Sequence, residues 1–161
     1  MANHWFPKLR KLGLSLEDFD SAALIMDLIH HLPFPGSLTF DLKRPRPHSP
    51  SKLLQSLGSN PHLPLSLSTL IILDDMQHSL VHDASNAETP SMFQPLLALT
   101  NLQTLILRLS GVEMLDDAWL NLASKSFPRL QVLTLHGRAL ERKQITLAGY
   151  VPLVQNSPKS A

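Results

Sequence analysis

The sequence predicts an α/β array in which short parallel strands alternate with helices, and three observations point to it. Residues 6–14 return almost letter for letter as residues 127–135, both fitting Leu-x-x-Leu-x-Leu. The same pattern recurs between them at residues 67–72 and 102–107, with Ile72 in the last place of the first of these. The segments separating these matches carry helical spacing and helix end signals. Leu-x-x-Leu-x-Leu is the strand-forming core of a leucine-rich repeat. The expected fold is therefore a leucine-rich-repeat solenoid spanning residues 1–161 as a single domain. Its expected make-up is about five irregular strand–helix repeats with a parallel sheet on the concave side.

The first strand is expected at Leu9, Leu12 and Leu14. A helix follows, with Leu24, Ile25, Leu28, Ile29 and Leu32 at core spacing and Pro33 ending it. Residues 36–42 keep the strand alternation, with Pro35 where the first leucine belongs. Ser49 before Pro50 reads as an N-cap with proline at the first helical position, and Gly58 as the helix stop. After the third strand, Thr89-Pro90 opens a segment with Met92, Phe93, Leu96 and Leu97, shortened or bent by Pro95. The fourth strand leads to a helix capped by Asp116, with Trp119, Leu122 and Ala123 on one face. After the fifth, Thr146 precedes a helix with Leu147, Tyr150, Val151 and Val154 aligned and Pro152 inside it.

The central leucines, Leu12, Leu38, Leu70, Leu105 and Leu133, are separated by 26, 32, 35 and 28 residues. A regular repeat takes about 20 to 29 residues, so the two long steps carry loop insertions. One insertion contains the basic, proline-spaced run Lys43, Arg44, Pro45, Arg46, Pro47, which reads as a nuclear-import or phosphate contact or as a solvated extended loop. The other, residues 74–88, is polar. A repeat of this kind cannot bury its own apolar face alone and must stack on its neighbours.

Composition narrows the function classes. Leucine makes up about a fifth of the 161 residues, and 17% are charged. A net charge of +1 and a pI near 8.2 give no footprint for nucleic acid or an anionic membrane. There is no cysteine, hence no disulfide or thiolate metal site. No apolar run reaches the roughly 20 residues that span a bilayer. The expectation is a soluble, intracellular protein, cytoplasmic or nuclear. His78 and His82, four apart beside Asp74, Asp75 and Asp83, have a spacing that would share a metal on a helix face. In a polar insertion with little helical signal they are read instead as solvated loop histidines, and no metal or other cofactor is expected. There is no phosphate loop, nucleophile elbow or zinc-protease motif, so the chain is not expected to be an enzyme.

Strand alternation then names a partner-binding face. If Leu12 and Leu14 point into the core, the outward rows run Gly13, Thr39, Ile71, Ile106, Thr134 and Ser15, Asp41, Leu73, Arg108, His136. Ile71, Leu73 and Ile106 would form an apolar patch rimmed by Asp41, Arg108 and His136, the usual build of a protein interface. Alternatively, the loop leaving the third strand folds over them and makes them ordinary core.

Residues 6–16 (FPKLRKLGLSL), residues 99–137 with their LDDAWL and FPRL segments, and residues 145–158 (ITLAGYVPLVQNSP) are together similar to the leucine-rich-repeat region of F-box proteins, especially those of mushroom-forming fungi. The resemblance covers somewhat under half the chain. It implies recognition of a protein partner, as a ubiquitination substrate is read for a cullin-type ligase. The F-box itself has no counterpart ahead of Phe6, so docking on the ligase is not expected of this chain. Without capping repeats at either end, the chain is expected to be an excerpt of a longer array. A stand-alone scaffold, or a truncated duplicate without function, is the alternative.

Overall fold

A computed structural model describes residues 9–30, 36–43, 50–74, 90–109, 111–137 and 145–156. It is an α/β fold with one five-stranded, all-parallel sheet whose strands lie side by side in chain order. The strands are β1 (Lys11–Leu16), β2 (Ser37–Leu42), β3 (Thr69–Asp74), β4 (Thr104–Arg108) and β5 (Val132–His136). The helices are α1 (Phe19–Leu28), α2 (Ser51–Ser59), α3 (Leu63–Ser66), α4 (Asp117–Ser126) and α5 (Leu147–Asn156). Two 3₁₀ segments, Pro90–Ala98 and Val112–Met114, flank β4.

Alternation along the strands builds the core. Leu38, Phe40 and Leu42 of β2, Leu70 and Ile72 of β3, and Leu105 and Leu107 of β4 are all fully buried. They form one cluster with the inner faces of the helices. The central leucines stand in register, Leu12 against Leu38, then Leu70, Leu105 and Leu133. The leucine that opens each motif lies just before its strand, and Leu67 and Leu102 there are fully buried. On the outermost strands Leu12, Leu14, Leu133 and Leu135 are only partly buried, because each has a neighbouring strand on one side alone.

A backbone relay sets the start of each strand. The carbonyl of Arg10 accepts the N–H of Ser37, that of Gly36 accepts Ser68 and Thr69, that of Ser68 accepts Gln103 and Thr104, and that of Gln103 accepts Gln131 and Val132. The residue just ahead of a strand thus holds the beginning of the next one.

Caps explain where two helices begin. The Asp18 carboxylate accepts the N–H of Ser21 at 2.8 Å, and the Asp116 carboxylate that of Trp119 at 2.8 Å, satisfying amides the first turn leaves without intrahelical partners. Pro50 itself occupies the cap position of α2, its carbonyl accepting the N–H of Leu54, while Ser49 lies outside the described residues. Gly111 turns the chain after β4 with φ of 88°, a conformation that favours glycine.

Several helix faces differ from what apolar spacing suggests. In α1 the buried residues are Phe19, Ala22, Ala23 and Met26, whereas Leu24 and Leu28 are 60% and 70% exposed. The inner face of α1 is thus built from Phe19, two alanines and Met26, and Leu24 and Leu28 fall on the opposite side. In α4, Leu120 replaces Leu122 on the buried face. Gly58 does not stop α2 but lies inside it, where an added Cβ would fall 2.3 Å from the Pro95 carbonyl oxygen. Pro95 has no N–H for an α-helical bond, and residues 90–98 wind instead as a 3₁₀ helix with Phe93 and Leu96 buried three apart. In α5, Leu147, Tyr150, Val151 and Val154 are exposed, and Leu153 is the side chain that packs toward the core.

Candidate functional site

The odd-numbered positions of β1 and β3 and their register partners form the sheet face opposite the core. Adjacent strands lie about 4.8 Å apart, so residues in register are side-chain neighbours. Thr39 stands beside Ile71, Ile71 beside Ile106, and Ile106 beside Thr134. In the next row Ser15 stands beside Asp41, Asp41 beside Leu73, Leu73 beside Arg108, and Arg108 beside His136. All six residues singled out from the sequence, Asp41, Ile71, Leu73, Ile106, Arg108 and His136, thus lie in two adjacent rows on one face.

Their burial grades across the sheet. Ile71, Leu73 and Ile106 are half-buried, while Arg108 and His136 are exposed. The aliphatic side chains are neither sealed like Leu70 and Ile72 nor free in solvent, so the patch is open enough to be touched. Residues 75–89, the loop that could lie over it, fall outside the described residues.

One contact in this row was not legible in the sequence. Lys43 donates to the Asp41 carboxylate at 2.5 Å, both side chains remaining partly exposed. Two residues apart at the end of an extended strand, they point to the same side. The backbone N–H of Lys43 also bonds the Leu16 carbonyl, which extends the sheet ladder and aims its side chain at Asp41. The first residue of the basic run is therefore an ion-pair partner; Arg44 to Pro47 lie outside the described residues. The Arg108 side chain, by contrast, makes no hydrogen bond or ion pair with the described residues.

Other candidate chemistry is sparse. Asp74 is the last residue of β3 rather than part of a polar loop, and it is buried at 2% exposure. Asp75, His78, His82 and Asp83 lie outside the described residues, and among those described no group of three or more His, Asp or Glu could hold a metal. A pocket of about 160 Å³ opens between α4, β5 and α5, lined by Ser124, Phe127, Leu130, Gln131, Leu133, Tyr150, Leu153 and Val154. Its lining is apolar apart from Ser124, Gln131 and the tyrosine hydroxyl, and it offers no acid–base pair. Among the described residues no helix is long and apolar enough to cross a membrane. Compared with known proteins, the chain matches no family model, no curated protein and no solved structure.

Proposed function

We propose that the chain is a leucine-rich-repeat solenoid acting as a protein-recognition module, similar in role to the substrate-reading part of an F-box ubiquitin-ligase adaptor. The observation that carries this reading is the pair of adjacent rows on the outer sheet face. Half-buried Ile71, Leu73 and Ile106 form an apolar centre, with Asp41, Arg108 and His136 around it. Such a centre supplies association energy by losing apolar surface to a partner, while the polar rim sets orientation. The partner is a protein, and in the adaptor role it would be a ubiquitination substrate.

The test compares partners captured by the full chain with those captured by Ile71→Asp/Ile106→Asp. A control variant, Leu24→Asp/Leu28→Asp, places the same two charges on the exposed side of α1. Partners kept by the control and lost by Ile71→Asp/Ile106→Asp, with both variants melting like the parent, support the reading. Equal capture by all three chains would refute it. Unfolding of Ile71→Asp/Ile106→Asp would assign Ile71 and Ile106 to the core instead. Co-purification of cullin-ligase subunits with the parent would bear separately on the adaptor role.

A further inference from the structure

Resting on the recognition reading, we infer that the outer sheet face takes an extended peptide segment carrying an acidic and an aliphatic residue two positions apart. The inference comes from charge and spacing. Of the two oppositely charged residues in the outer row, Asp41 is offset by Lys43 at 2.5 Å. Arg108 is exposed and carries no such partner among the described residues, so the charge left for a ligand is positive. Its guanidinium rises from a block of three aliphatic side chains. Leu73 is its register neighbour, Ile106 lies two residues before it on the same strand, and Ile71 is in register with Ile106.

Residues i and i+2 of a strand project to the same side about 6.7 Å apart. An extended ligand running along β4 has the same spacing between alternate side chains. A carboxylate over Arg108 therefore places the ligand side chain two positions away over Ile71 and Ile106. A guanidinium presents a fork of donors that fits a carboxylate, and neighbouring aliphatic groups lower the local dielectric around that pair. A peptide fits better than nucleic acid, which needs several cations along a backbone and aromatic platforms for its bases. The two rows hold one arginine, one histidine and no Phe, Tyr or Trp.

The experiment pans a phage-displayed library of random dodecapeptides against the full chain and its variants. Enrichment of Asp or Glu two positions from Leu, Ile or Val is expected. Arg108→Glu should weaken the selected peptides at least about tenfold, the loss expected when a charge-assisted hydrogen bond is removed. Panned on its own, that variant should select Lys or Arg in place of the acid, whereas Arg108→Lys should keep the acidic preference. If Arg108→Glu melts early, Arg108→Gln gives the same reading by loss of the acid preference alone. Aliphatic enrichment without any acidic preference would overturn the proposed chemistry and leave the recognition face standing. No enrichment at all would overturn the extended-peptide inference, and peptides that bind Ile71→Asp/Ile106→Asp as well as the parent would overturn the recognition reading itself.

Discussion

The carboxylate of Asp117 receives two hydrogen bonds from Thr146, one from its backbone N–H at 2.8 Å and one from its hydroxyl at 2.6 Å. Asp117 is the first residue of α4, and Thr146 immediately precedes α5. One negative charge therefore sits at the N-terminal ends of two helices, where both macrodipoles favour it. Gly149, in the first turn of α5, faces the same carboxylate, and a Cβ there would meet Asp117 Oδ1 at 2.1 Å.

This contact makes stability depend on acid. The Thr146 hydroxyl, and after it the Thr146 N–H, hold the Asp117 carboxyl below its ordinary value of 3.8, against a smaller opposing effect of burial. A carboxylate whose folded pKa is depressed contributes stability that is complete above the unfolded value and lost as pH falls through the folded one. Asp117→Asn should therefore melt below the parent at neutral pH, with the gap closing as the pH drops beneath 3.8. Thermal melts over a pH series check this, and a gap that stays constant into acid would refute it.

The close approach of α2 to the 3₁₀ segment Pro90–Ala98 leaves no room for a side chain at position 58. In an open helix, Gly→Ala stabilises by about 0.5–1 kcal/mol. At Gly58 the nearest atoms are backbone and ring atoms of Pro95, which cannot swing aside. Gly58→Ala should instead destabilise by about 1–3 kcal/mol, the usual cost of overpacking. Urea unfolding measures it; a stabilised variant would mean that α2 and the 3₁₀ segment move apart readily.

Equivalent leucines should differ in cost according to their place in the sheet. Leu105, fully buried between two strands, should lose about 3–5 kcal/mol on substitution by alanine. Leu133, partly buried on the outermost strand, should lose less than about half of that. Equal losses in urea denaturation would show that β5 is covered as completely as β4.

Strand positions were legible because a period of two leaves little choice: once Leu12 and Leu14 are assigned inward, every odd-numbered neighbour in β1 must point out. The same parity carried Ile71, Leu73, Ile106 and Arg108 into neighbouring rows, and Asp116 was readable as a cap from its residue type and place. The helix faces were less accessible. In α1, Leu24 and Leu28 outweigh Ala22 and Ala23 on any scale of side-chain size, yet the alanines are the buried pair. The same bias assigned the inner side of α5 to Leu147 and Val154, where Leu153 faces inward. Contacts between residues far apart in sequence, such as Asp117 with Thr146, leave no periodic trace at all. Gly58 carried a real signal, but a helix end and a tight crossing both call for glycine.

The carbonyl relay ahead of the strands separates two things that usually change together, the length of a connection and the alignment of what it connects. Successive central leucines are as few as 26 and as many as 35 residues apart, yet all five stand opposite one another. Each strand takes its starting point from its predecessor's backbone, through bonds that any residue with an N–H can make. Connecting segments can therefore lengthen, shorten or change composition while the side chains on the outer face keep their neighbours. Variation in the loops and variation in the face are two independent dials.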